Sequence, residues 1–204
     1  MIAPKDKSAM YRTGIRRLDQ EFGGVRRNEL AVVLSASALT PSQVLASLVR
    51  EAAVPTLIFT TRDGELASMC ERDDVYTDNA GHRALATLAE RARSARDALG
   101  IELVVVENLR HIHGARYYDV DLPMRHEFAR LPKSLGVALA VGWVSEYERD
   151  MPRWSDLRGT IAEDPDLLVF VYREERDIAK NRIAAHRQDG GGVIFDELWI
   201  RGLA

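Results

Sequence analysis

A doubly wound, three-layer α/β domain with a mostly parallel sheet is the fold this sequence predicts, and three observations carry the prediction. Short, almost wholly apolar and often β-branched runs recur at 30–34, 56–59, 103–106, 137–141 and 167–171. A strand with one wet face alternates polar and apolar residues, whereas a strand covered on both faces need not, so such runs belong inside a parallel sheet. Stretches with helical spacing separate the runs, and that alternation implies right-handed crossovers that place helices on both faces.

Taken in order, residues 1–10 read as a polar tail without the apolar centre of a signal peptide or anchor, and one domain is expected over 11–204. The run at 30–34 leads through a turn into a helix whose apolar face is Val44, Leu45, Leu48, Val49 and Ala52. After the run at 56–59, the segment Ala67-Ser68-Met69-Cys70 is expected to be helical, with Cys70 in the core. Leu85, Leu88, Ala89, Ala92 and Leu99 mark the helix before the run at 103–106, and the runs at 137–141 and 167–171 complete the parallel set. The stretches 178–183 and 193–200 are expected to add antiparallel strands around a turn at Gly190-Gly191-Gly192.

Composition bounds the function. With 204 residues, 46% hydrophobic and 29% charged, the chain suits one soluble domain large enough to bury a sheet between two helical layers. No apolar run approaches the roughly 20 residues of a membrane helix, so no membrane partner is expected. Cys70 is the one cysteine, which excludes an intrachain disulfide and fits a reducing cytoplasm. The net charge of −3 lacks the basic excess of a protein that binds DNA by general attraction, so any nucleic-acid contact must come from a local patch.

In such a sheet ligands bind outside the carboxyl ends of the strands, which makes the turn Ser35-Ala36-Ser37-Ala38-Leu39-Thr40-Pro41-Ser42 decisive. It contains no glycine, so it lacks the backbone freedom with which amides converge on an anion. Thr40 suits the N-cap, Pro41 the first helical position, and Gln43 the capping-box partner. By itself this reads as a side-chain-capped helix start with no phosphate.

The order Thr13-Gly14-Ile15-Arg16-Arg17-Leu18-Asp19, Gly23-Gly24, Glu29-Leu30, then Ser155-Asp156-Leu157-Arg158, Ile161, Glu163, Asp164, Asp166, Tyr172-Arg173-Glu174-Glu175 and Ile178-Ala179-Lys180-Asn181-Arg182 resembles the C-terminal motor domain of DnaB-type replicative helicases. The resemblance runs from Thr13 through nearly the whole chain. It implies a RecA-like fold of the P-loop NTPase superfamily. In that family a Gly-Lys-Thr turn cradles the phosphates, the lysine reaches the β and γ phosphates, and the hydroxyl holds Mg²⁺. Those positions here are Thr40, Pro41 and Ser42, so the hydroxyl alone remains. Proline offers neither an amide hydrogen nor a charge, and a lost charge-assisted contact costs roughly 1.5–3 kcal/mol of affinity.

The remaining family positions are altered too. Arg62 stands where a glutamate activates water, and a guanidinium cannot accept that proton. Glu107 replaces the magnesium-holding aspartate at the end of the third run, with one methylene more. Trp143 stands where a glutamine senses the γ-phosphate, and its bulk is expected to fill that space. The resemblance therefore implies a degenerate Walker site, no catalytic residues, and no cofactor.

Lys180 and Arg182 match the pair that reaches the neighbouring subunit's nucleotide in the family's ring, where an arginine finger stabilises transition-state charge in trans. The same two residues also read as ordinary decoration of an edge strand. Arg110, Arg116, Tyr117 and Tyr118 interleave cations with rings as a single-stranded DNA contact would, although Asp119, Asp121 and the acidic stretch Glu146-Tyr147-Glu148-Arg149-Asp150 oppose it. His111-x-His113 lacks a fixed second ligand pair, so no metal is expected.

The leading expectation is a cytoplasmic, DnaB-like domain that does not hydrolyse ATP. It acts as a replication-associated binding or regulatory module, with a DnaB-type helicase, like subunits or single-stranded DNA as partner. One alternative is an ATP-dependent DNA helicase or ATPase using Mg²⁺, with Thr40, Ser42, Glu107 and Arg182 in an unconventional site. The other is a module for protein interaction alone.

Overall fold

A computed structural model describes residues 9–36, 41–60, 64–80, 84–112, 122–145, 153–173, 181–188 and 191–198. Among them a sheet of eight strands runs in the order β10-β9-β8-β3-β7-β6-β4-β5. Its parallel strands are β3 (Leu30–Ser35), β4 (Thr56–Phe59), β5 (Val75–Asp78), β6 (Leu103–Val106), β7 (Ala138–Val144) and β8 (Leu167–Arg173). Antiparallel strands β9 (Asn181–Arg187) and β10 (Gly191–Leu198) extend one side.

The five apolar runs all become strands, and the period-2 geometry of a strand shows why they needed to be apolar throughout. Leu30, Val32 and Leu34 face a core shared with α4 (Leu85–Leu99) and α5 (Leu122–Leu135). Ala31 and Val33 face a second core with α1 (Arg16–Phe22) and α2 (Ser42–Ala52). The same split divides Leu57 from Ile58, Val104 from Val105, and Leu168 from Val169. On the α2 side β7 offers Ala138, Ala140 and Gly142 before Val144 at its end, and the smallness of the first three lets the helix lie close to the sheet.

The amino-terminal segment is fixed by its own chemistry. Asp19 accepts from the Thr13 amide (2.8 Å), the Thr13 hydroxyl (2.7 Å) and the Gly14 amide (3.1 Å). That is the physical reason for the spacing Thr13-Gly14 to Asp19. A two-residue ladder between β1 (Met10–Tyr11) and β2 (Val25–Arg26) follows, and it draws Met10 into paired structure. The Tyr11 hydroxyl donates to Glu102 at 3.0 Å and so ties this ladder to the start of β6. Arg187 of β9, 2% exposed, donates to Glu29 and to the Gly24 carbonyl and lies 5.6 Å from the centroid of the Phe22 ring.

Several expectations need correction. The antiparallel pair turns earlier than the glycine run suggests: β9 continues through Arg187, and Gly191 already belongs to β10, with a register shift between Gly191 and Ile194. Cys70 is buried as expected but lies just past a helix, α3 (Glu65–Ser68), that closes after one turn. The edge strand β5 was not anticipated, because Val75-Tyr76-Thr77-Asp78 carries too few apolar residues to stand out. No helix among the described residues is long and apolar enough to cross a membrane.

Candidate functional site

The carboxyl ends of β3, β4 and β6 meet the start of α2, and the polar groups there converge on one carboxylate. Pro41 has helical dihedrals (φ −71°, ψ −11°) and its carbonyl accepts from the Leu45 amide at 3.0 Å, so it forms the first turn of α2. The next residue, Ser42, is buried and donates its hydroxyl to Glu107 Oε1 at 3.3 Å. That oxygen also accepts the Leu66 amide at 2.8 Å, while Oε2 accepts the Thr60 hydroxyl. Glu107 is 6% exposed, and its carboxylate meets these three protein donors. A buried carboxylate without such partners would be costly.

Two glycines permit this convergence. A Cβ on Gly64 would strike Thr60 Oγ1 and Glu107 Oε2, so only glycine lets the chain pass this close to the carboxylate. A Cβ on Gly142 would strike the Glu107 carbonyl and come within 2.6 Å of Pro41 Cγ. The proline ring therefore rests on the bare backbone of β7, and the start of α2 sits hard against the sheet.

Trp143 behaves differently from the expectation that it fills the phosphate space. It lies within β7, one residue after Gly142, and successive strand side chains point to opposite faces. Gly142 faces α2, so Trp143 faces α5, where it is 1% exposed in the core that includes Phe128 and Leu131. The residue that follows the strand is Ser145. Its amide donates to Ser35 O (2.9 Å) and its hydroxyl to Asp156 (3.0 Å).

Arg110 packs its guanidinium 5.7 Å from the centroid of the Trp143 ring, a cation–π arrangement that engages it within the fold. Arg182 lies on β9 opposite Tyr172 of β8 and Glu197 of β10. Tyr172 belongs to the core on the α5 side, so Arg182 stands two strands from β3 and on the face away from α2. Within one chain Arg182 does not join Ser42 and Glu107. Thr40, Arg62, His113, Arg116, Tyr117, Tyr118, Asp119, Asp121, Lys180 and the stretch 146–150, also singled out in the sequence, lie outside the described residues. Asp156 and Glu163 organise the segment before β8: Asp156 also accepts from the Arg153 amide (3.0 Å), and Glu163 accepts from the Gly159 amide (3.0 Å) and from Arg125.

Sequence reasoning missed Thr60, Leu66, Gly64 and Gly142. Thr60 carries a faint signal, a hydroxyl directly after an apolar run, but its partner is 47 positions away. The Leu66 contribution is a backbone amide, which no side chain advertises. Cys70, close behind, has its thiol pushed up to about 11, chiefly by burial.

As arranged, these groups are hydrogen-bonded to one another. Mg²⁺ demands near-octahedral oxygens at about 2.0–2.1 Å, whereas the Ser42 hydroxyl and both Glu107 oxygens are already engaged with each other or with Thr60 and Leu66. Pro41 contributes neither charge nor amide hydrogen. Among the described residues no cluster of three or more histidine, cysteine or acidic side chains could hold a metal ion.

No protein-family model matches the sequence, and no curated protein sequence matches it. Solved structures do match in shape. One is a DnaB-like replicative helicase whose interactions with primase were studied, at TM-score 0.71 and 12% identity over 96% of this chain. This chain spans 62% of that helicase's length. Another is the ATPase domain of a second protein, at TM-score 0.70 and 13% identity, covering 96% of this chain and 89% of that one. At such identity the likeness is one of fold: the chain is a RecA-like α/β domain built on the plan of DnaB-type helicase ATPase domains.

Proposed function

We propose that this chain is a helicase-related domain that acts without hydrolysing ATP, as a cytoplasmic binding or regulatory module associated with DNA replication. The observation that carries the reading is the Glu107 carboxylate held by three protein donors beside a proline-led helix. Its partner under this reading is a DnaB-type helicase or a like subunit, whose nucleotide site Lys180 and Arg182 complete; β9, with Arg182, lies between β8 and β10 and is not the edge strand that the sequence suggests. Single-stranded DNA is the weaker candidate, because Arg110 is engaged with Trp143 and the net charge is −3. A module for protein interaction alone keeps the first partner and drops the second.

One feature supports the rival reading of an ATP-dependent helicase or ATPase. Ser42 and Glu107, the two positions that share Mg²⁺ in the resembling family, do meet here. Labelled ATP with Mg²⁺, titrated alone and with single-stranded DNA at low salt, separates the readings. The proposal expects no turnover above the background rate, and micromolar binding with turnover would overturn it. DNA retention that weakens steeply with salt would restore DNA as partner, whereas none at low salt leaves the protein partner alone.

A further inference from the structure

We infer that Glu107 is a conformational latch, whose carboxylate holds the segment 64–68 against the carboxyl ends of β4 and β6. The inference concerns the site proposed above to act without hydrolysing ATP, and it names what holds its parts together.

The geometry is specific to a glutamate. Glu107 leaves the end of β6 with its amide donating to Phe59 O (3.0 Å), so its backbone is fixed by the sheet. From there the side chain must reach Ser42 at the start of α2 and, on the other side, Thr60 and the Leu66 amide beyond β4. Ser42 and Leu66 donate to the same oxygen, so the start of α2 and the segment after β4 are pinned to one atom. Gly64 permits the approach sterically. Leu66 then drops into the core shared with Leu45, Val49 and Ile58, fully buried, and so adds an apolar anchor to the polar latch.

An aspartate, one methylene shorter, would keep the charge but withdraw its oxygens from Thr60 and Leu66. The extra methylene is thus what converts an end-of-strand acid into a strap holder. Thr60 contributes the second oxygen's partner, and without its hydroxyl the latch loses that contact while the Leu66 amide and its apolar anchor remain.

Cys70 is a native reporter of the strap. It is the sole cysteine, 2% exposed, and its amide donates to Ala67 O at 3.2 Å, so it stays covered while α3 is in place. The experiment is labelling of Cys70 by an aromatic disulfide reagent, without nucleotide and at one fixed pH, in the native chain and in Glu107→Asp, Glu107→Ala and Thr60→Val. Hydrogen exchange of the Leu88 amide in α4 monitors global opening in parallel. Slow labelling is expected in the native chain. Labelling faster by roughly tenfold or more is expected in both Glu107 variants, the scale of one lost charge-assisted hydrogen bond, and an intermediate rate in Thr60→Val.

Glu107→Asp is the deciding variant, because the Glu107 charge itself helps to suppress the thiolate and the alanine variant removes it. A native rate in Glu107→Asp overturns the latch, and so does labelling that accelerates only in step with Leu88 exchange. Should Glu107→Ala fail to fold, the aspartate and Thr60 variants still decide. An ATPase-positive chain whose Cys70 rates behave as expected would sink the proposed function and leave the latch standing. The reverse result would sink the latch alone.

Discussion

At the scale of single residues, the site is governed by what the smallest and most rigid side chains permit. Gly142 and Pro41 form a contact pair across 101 positions, and the space for a methyl group between them is already taken by Pro41 Cγ and the Glu107 carbonyl. Gly142→Ala is therefore expected to destabilise the fold by about 1–3 kcal/mol, the usual cost of overpacking a close-packed interior. Equilibrium denaturation in urea measures it, and an unchanged midpoint would mean that α2 can move off the sheet freely. The same change should leave the Arg110–Trp143 stack alone, since Trp143 points to the other face.

At the scale of elements, the short β1–β2 ladder buries Tyr11 and Val25 in the core on the α2 side, and its Tyr11–Glu102 hydrogen bond has a measurable signature. The phenol is raised from its ordinary 10.0 to about 12, first by burial and then by the hydrogen bond to Glu102. A raised pKa means that the folded state keeps a proton the unfolded chain gives up. The contribution is thus fully present below pH 10 and is lost as the pH climbs from about 10 to 12. Tyr11→Phe should flatten that alkaline limb, which urea midpoints across the range would show, and below pH 10 it should cost about 1 kcal/mol for the lost hydrogen bond. Equal alkaline slopes in the two proteins would assign the limb to other groups.

At the scale of the whole molecule, two cores share one sheet, so ligand binding at the strand ends should be felt as global stability. Millimolar Mg–ATP with a Kd near 10 μM would add roughly 2.7 kcal/mol, or about 5–10 °C in Tm for a domain of this size. The proposed function expects no shift. A rise of several degrees would show that the latch yields to nucleotide and that the domain binds it after all.

Much of the architecture was written locally in the chain. The apolar runs named β3, β4, β6, β7 and β8 because burial on both faces demands apolar side chains at every position, a constraint visible within four or five residues. Helix α4 was equally legible, since Leu85, Leu88, Ala89 and Ala92 repeat at helical spacing. Strand β5 was not, because an edge strand needs no continuous apolar run. The turn of the β9–β10 pair was misplaced because three consecutive glycines fit a bulge as well as a turn.

The sequence by itself determined that Pro41 leads α2 and that no lysine stands in the turn before that helix, since both follow from residue identity. Only the tertiary structure decided what the remaining polar groups do. Thr60, the Leu66 amide and Glu107 are separated by up to 47 positions and come together solely because β4 and β6 are sheet neighbours. The face on which Trp143 lies was likewise settled by the register of β7, whose period of two sends adjacent residues to opposite cores.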